Sequence, residues 1–237
     1  MLALTRASGR ESRIGSPTGL AGRWGIPVGS WGQGAEAVLE VTSARVLTDE
    51  LLVGRARSGH AADFDLLVQR YADRVYRFCL RHLGDAEAAE DVAQTAFVEA
   101  FASLPRFDSR KPFGPWLFGI AANQCRLWHR RRRRSRWWSI GSEDSEERLE
   151  AVPDEAHSPE EALEDEDRRR QVRRAVAGLP VRYREVILLR YLQGMSTREV
   201  AEALGLKPEA AAKRLTRGLQ MLRDRLGELG FAGGDLA

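Results

Sequence analysis

The sequence predicts an all-α protein of two small helical domains joined by a flexible acidic linker. Three observations carry this. Apolar residues recur at helical spacing in two separate blocks, 47–138 and 167–230. No alternating strand-type run of weight interrupts either block. Between them, 139–166 is dominated by Asp and Glu with interspersed Pro and Ser, the composition of a self-repelling, extended tether. Residues 1–46 are Gly-, Ser- and Arg-rich without period and are expected to be disordered, or to precede the true start, since valine codons at Val41 or Val46 can initiate in bacteria. Residues 231–237 form a short tail.

In the first block, Asp49, Leu51, Leu52 and Val53 open one helix. Phe64, Leu67, Val68, Tyr71, Val75, Phe78, Cys79 and Leu83 stripe a second. Gly84-Asp85 ends it, and Asp85 is placed to cap the next helix, buried through Ala89, Val92, Ala93, Ala96 and Ala100. A loop from Arg106 to Pro115 follows, and Trp116 starts a further helix through Ile120, Ala121 and Leu127 into five consecutive arginines, Arg130 to Arg134.

Formal net charge is only +3, from 37 basic and 34 acidic residues, so segregation of charge matters more than its sum. The basic residues are almost all arginine; the lysines are Lys111, Lys207 and Lys213. No apolar run approaches the ~18 residues of a membrane span, and the amino terminus lacks a signal-peptide core. Two cysteines, Cys79 and Cys125, do not make a disulfide framework and fit a reducing cytosol. With His82 and His129 they supply four zinc-ligand types at loose spacing; two buried thiols is the simpler reading. No nucleotide loop, metal cluster or catalytic triad can be assembled, so neither catalysis nor a cofactor is expected.

The second block carries a helix-turn-helix from about Leu179 to Leu226. Ser196 and Glu199 have capping-box spacing, Val200, Ala201, Leu204 and Leu206 give a short apolar face, Gly205 makes the turn, and Pro208 suits the first position of the next helix. That helix is apolar through Ala211, Leu215, Leu219, Leu222 and Leu226 and cationic through Lys213, Arg214 and Arg217. Such a helix can enter the major groove and neutralise phosphates; an amphipathic hairpin with a solvated basic face is the plainer reading. The arginine run likewise suits either phosphate contact or a solvated helix end. Upstream of it, Phe107, Phe113, Trp116, Phe118 and Trp128 offer rings on which unpaired bases stack, although core packing accounts for several, Trp116 and Phe118 first among them.

From Thr48 to Leu226 the chain resembles bacterial RNA polymerase sigma factors of the extracytoplasmic-function type, within the sigma-70 family. The resemblance is carried by Asp91-Val92-Ala93-Gln94-Thr95-Ala96-Phe97, Trp116-Leu117 with Ile120-Ala121-Ala122-Asn123, the arginine run, Leu179-Pro180 with Arg184-Glu185, and the helix-turn-helix. It implies a first domain, 47–138, that binds core polymerase through Asp91, Gln94 and Phe97 on the clamp. The same domain would open the −10 element through Phe107, Asp108, Lys111, Phe113, Trp116, Asn123, Arg126, Arg130, Arg131, Arg132 and Arg133. It implies a second domain, 167–230, that touches the polymerase flap and reads the −35 element through Ser196, Thr197, Arg198, Glu209, Ala210, Lys213, Arg214 and Arg217. The implied partners are core RNA polymerase and promoter DNA, with an anti-sigma factor as a further candidate, no membrane insertion, and the cytoplasm as location. In relatives the acidic linker runs toward the RNA exit channel; a solubilising tether is the alternative. The chain departs from the family where a Thr-Val-Lys-Ser-like stretch is replaced by Ala210-Ala211-Ala212-Lys213, and where Gly218 stands for a usual alanine. A stand-alone helix-turn-helix regulator is the competing function, but it leaves Asp91–Phe97 and Asn123 without purpose.

Overall fold

The computed structural model describes residues 47–138 and 159–228, with side chains described from 47 to 134 and from 168 to 228. The expected disorder of 1–46, the linker before residue 159 and the tail lie outside the described residues. Eight helices and no strand are found among those described: α1 Asp49–Arg57, α2 Ala61–Leu83, α3 Ala86–Ser103, α4 Phe113–Trp138, α5 Pro159–Ala177, α6 Val181–Ile187, α7 Thr197–Leu204 and α8 Pro208–Glu228. A 3-10 turn, Leu104–Arg106, follows α3, and a π turn, Leu188–Leu192, follows α6. None of these helices is long and apolar enough to cross a membrane.

The helix ends are written locally. Thr48 caps α1 through the Leu51 amide, and Asp85 caps α3 through the Ala88 amide at 3.0 Å. Gly84 closes α2 in the left-handed region at φ 73°, which its missing Cβ permits. Alanines at 88, 89, 93, 96 and 100 bury the inner side of α3 and let it lie close against α2, whose Phe64, Leu67, Val75 and Phe78 fill the space between.

Two boundaries differ from the expectation. Helix α4 begins at Phe113 rather than Trp116, because Pro115 falls in the first turn, where a backbone N–H has no intrahelical acceptor to lose. Helix α5 begins at Pro159, so the carboxy-terminal part of the acidic stretch is helical. Proline's fixed φ suits the first helical position.

The two helical units do not stand apart. Their buried residues form one cluster that runs from Leu52 to Leu215. Arg184, itself buried, donates to the carbonyls of Ala177 and Leu179 and, across the chain, to that of His82. Arg74 on α2 donates to Gln193 Oε1 at 3.1 Å and to the Gln193 carbonyl at 3.3 Å, and Gln193 Nε2 returns to the Arg74 carbonyl at 3.4 Å. Helices α4 and α7 touch directly.

The zinc reading is not supported. Cys79 and Cys125 are buried beside one another and the rings of His82 and His129 lie 5.4 Å apart, but no group of three or more potential ligands able to hold a metal exists among the described residues. Burial, with the neighbouring Cys79, pushes the Cys125 thiol well above its ordinary range, so it packs as a neutral thiol.

Candidate nucleic-acid interface

The outer side of α3 presents Asp91 and Gln94 to solvent, one turn apart. Phe97 does not join them. It is 5% exposed and belongs to the core, because its position on the helix matches the buried alanine stripe. The apolar groups that do continue the exposed face are Val98 and Phe101, 66% and 48% exposed. Large apolar side chains at that exposure, next to two polar groups, are what a protein partner would cover.

The loop before α4 is an aromatic nest. Phe107 and Phe113 are buried and meet edge to face at 6.0 Å, and Trp116 lies 4.6 Å from Phe107 and 5.6 Å from Phe113. Tyr71 supports the nest from α2, 5.6 Å from Phe113. Arg57 ties the loop to α1 by donating to the carbonyls of Pro105 and Phe107. Of the three rings expected to face nucleic acid, Phe107 and Phe113 therefore act as the floor, and only Trp116 stays partly open. Asp108 is held by Arg110 through paired side-chain bonds of 2.9 Å, which depress its carboxyl to about 2. Lys111 pairs with Glu202 of α7 at 2.9 Å.

Beside Trp116 lies a cavity of about 210 Å³, lined also by Glu99, Lys111, Asn123, Glu202 and Ala203 among others. Asn123 brings an amide with two donors and an acceptor, the set that reads the edge of a base. Its sequence neighbour Gln124 is engaged with Glu99.

One turn further along α4, Arg126 donates to Glu185 of α6 at 2.9 Å. Arg130 to Arg134 then ring the helix end, exposed. The Arg132 guanidinium carbon lies over the Trp128 ring, 4.9 Å from its centroid.

The helix-turn-helix has the expected local chemistry. Ser196 Oγ accepts from the Glu199 amide at 3.2 Å and the Glu199 carboxylate accepts from the Ser196 amide at 2.8 Å, so the capping box is complete. Those bonds also lower the Glu199 carboxyl from its usual value. Gly205 turns the chain at φ 63°, and Pro208 opens α8. Ala211 and Leu215 are buried against the first helix. Gly218 lets α8 settle against α6, since a Cβ there would sit 3.2 Å from Ile187. The exposed residues are Ser196, Arg198, Glu209, Lys213 and Arg217; Thr197, Ala210 and Arg214 are half-buried. Arg214 lies 3.5 Å from Glu185, which takes Arg126 on its other oxygen.

A helical unit with an exposed polar-apolar face and a cationic aromatic helix, coupled to a capped helix-turn-helix, matches two family models in the same order. Residues 67–135 match Sigma-70 region 2, and residues 169–222 match Sigma-70 region 4. The chain is 33% identical over 175 residues to the RNA polymerase sigma factor CarQ of Myxococcus xanthus, covering 74% of this chain and 95% of that one. It is 30% identical over 184 residues to the ECF RNA polymerase sigma-E factor of Escherichia coli, covering 76% and 95%. The chain belongs to the extracytoplasmic-function RNA polymerase sigma factors.

Solved structures share its fold. CnrH, in a complex with the cytosolic domain of CnrY, aligns at a TM-score of 0.56 and 27% identity over 76% of this chain and 97% of that one. RpoE of Bartonella quintana, in a complex with the anti-sigma factor NepR, aligns at 0.57 and 22% identity, covering 70% and 97%. In this sigma factor the region 2 match takes in most of α2, all of α3 and α4 through its arginines, and the region 4 match runs from the second half of α5 through most of α8.

Sequence reasoning gave no role to Glu185, Val98 or Phe101, nor to Gly119, where a Cβ would sit 2.4 Å from the Ala203 carbonyl oxygen of α7. Glu185 left a trace, since an Arg-Glu pair inside the apolar run Val181–Leu192 must find partners if it is buried. The outward turn of Val98 and Phe101 is a matter of helix phase, and a generic apolar pattern does not fix that to one residue.

Proposed function

We propose that this sigma factor directs core RNA polymerase to promoters by reading a −10 element with region 2 and a −35 element with region 4. The observation that carries the reading is α4. Its first turns present Trp116 and Asn123 beside a base-sized cavity, and its last turns present Arg130 to Arg134, so one rigid helix offers base contact and phosphate contact together. Asp108, Lys111 and Arg126 flank that path. The outer face of α3, through Asp91, Gln94, Val98 and Phe101, is the proposed seat for the polymerase clamp, with Phe97 holding it from beneath. The tip and outer side of α8, through Glu209, Ala210, Lys213, Arg214 and Arg217, with Ser196, Thr197 and Arg198 at the start of α7, is the proposed −35 surface. The alanine at 210 offers apolar contact only, for example to a thymine methyl. The polymerase flap is the proposed second seat, for region 4.

The work proposed is binding and strand opening rather than catalysis, it needs no cofactor, and it takes place in the cytoplasm. An anti-sigma factor that sequesters the chain is a further proposed partner, by analogy with the complex of RpoE with NepR. Purified protein with core polymerase should start transcripts at sites that share two upstream boxes. Failure of the full chain to bind core would reject the reading, and specific duplex binding by the full chain without polymerase would favour a stand-alone regulator.

A further inference from the structure

We infer that helix α1 is a strut for the aromatic loop: Arg57 at its end, and Asp49 at its start acting through Tyr71, are positioning residues that fix the rings for strand opening. The inference rests on the reading of that loop as the −10 contact.

The loop is pinned at both ends by the same short helix. At its entry, where the chain leaves the 3-10 turn and becomes extended at Phe107, Arg57 donates through Nη2 to the Pro105 carbonyl at 3.3 Å and through Nη1 to the Phe107 carbonyl at 3.4 Å. One planar guanidinium thus fixes two carbonyls two residues apart, which a single ammonium cannot do. At its exit, Asp49 accepts from the Tyr71 hydroxyl at 2.5 Å, and Asp49 is itself held by Arg70. The Tyr71 hydroxyl lies under Gly114, where a Cβ would sit 3.0 Å from it, and the Tyr71 ring meets Phe113. Nine helical residues span about 13 Å, so α1 is long enough to brace both ends. Leu52 and Val53, at 0% and 1% exposure, anchor it in the core. Between the pins, Ser109, Arg110 and Pro112 are exposed.

The consequence reaches Trp116 through its neighbours. Phe107 and Phe113 are the two rings it packs on, and each belongs to a pinned end. A ring already in place costs no ordering when a base leaves its stack, whereas a loose one must be ordered during that step. Arg57 is itself exposed, so its removal should loosen the loop without unfolding the domain.

The test is Arg57→Ala in the full chain, with Arg57→Lys and Tyr71→Phe beside it. Transcription with core polymerase is measured on a promoter selected with the parent, once as a duplex and once with a mismatched bubble already open across the −10 element. Amide exchange of residues 107–113 is followed in the free protein. Arg57→Ala should speed that exchange and slow open-complex formation on the duplex by about tenfold, as expected when one or two side chains must be ordered in the step. Its rate on the bubble, its affinity for core and its melting temperature should stay close to the parent, within about twofold for the first two. Arg57→Lys, which keeps the charge and one of the two bonds, should fall between. Tyr71→Phe, which keeps the ring and loses the second pin, should also act on the duplex more than on the bubble. These two variants carry the comparison if Arg57→Ala does not fold. Unchanged exchange overturns the inference, as do equal losses on duplex and bubble, or faster exchange with no loss on the duplex. A parent chain that starts no transcript on either template rejects the sigma-factor reading instead, and the exchange comparison still decides whether α1 holds the loop.

Discussion

Arg126 on α4 donates to Glu185 on α6 at 2.9 Å, and the receiving side chain is 3% exposed while the donating one is 30% exposed. Removing Glu185 from water raises its carboxyl pKa, and the guanidinium groups of Arg126 and Arg214 lower it; burial is the larger effect. The contact therefore adds little net stability but penalises loss of either partner, because an unpaired buried charge remains. Arg126→Ala should cost about 1–3 kcal/mol in urea unfolding, below the usual figure for a buried pair because Arg126 is partly solvated. A double-mutant cycle with Glu185→Gln should return a coupling of about 1 kcal/mol; a value near zero would remove the pair from the account.

Arg214 and Arg217 should separate in a second experiment. Both face the proposed −35 surface, but only Arg214 also reaches Glu185. Each alanine variant should lower the salt slope of promoter binding by the polymerase complex by about one. Only Arg214→Ala should also lower the melting temperature of the free protein. Equal melting temperatures would mean that the 3.5 Å contact is without energetic weight.

The α3 face gives a third prediction. Asp91→Ala, Gln94→Ala and Phe101→Ser should weaken binding to core polymerase and leave thermal unfolding close to the parent. Phe97→Ala should do the reverse of this selectivity, destabilising the fold by about 3–5 kcal/mol through the cavity it leaves. Fluorescence titration with core, beside calorimetry, reads both.

His82 predicts a pH dependence. It is fully buried, and neither ring nitrogen has a hydrogen-bond partner among the described residues. Burial first, then His129, Arg184 and Arg126, hold the imidazole well below its ordinary 6.5. Above that pH the ring is neutral whether the chain is folded or not, and stability is intact. Below it the unfolded chain takes up a proton that the folded chain refuses, so stability falls with pH, by at most about 1.4 kcal/mol per unit for one group. His82→Leu should flatten the difference in melting temperature between pH 7.5 and pH 5.5. An equal drop in both proteins would clear His82 of the effect.

The helix ends and the two blocks were legible because their causes are local: Thr48, Asp85 and Ser196 cap within three residues, and Gly84 and Gly205 mark their turns with positive φ. The residues proposed for the reading surfaces stand out in composition, as the arginine run and the ring cluster. Their division into floor and face was not legible. Phe107 and Phe113 look like Trp116 in sequence, and only the position of Tyr71 behind them decides which rings are covered. The docking of region 4 on region 2 was also illegible. It depends on Gly119 meeting a carbonyl 84 residues further along the chain, and on Arg126 meeting Glu185, pairings that no periodicity encodes.

The continuity of α4 from Phe113 into its five arginines has a geometric consequence. Successive helical residues turn by about 100°, so five in a row sweep past a full circle. Rolling that helix about its own axis would exchange one arginine for another at any given bearing without emptying it of charge. If the proposed DNA contacts hold, the aromatic end must be aimed to within one side chain, whereas the cationic end works at every angle and so places no demand on how region 2 is rolled when it first meets a strand.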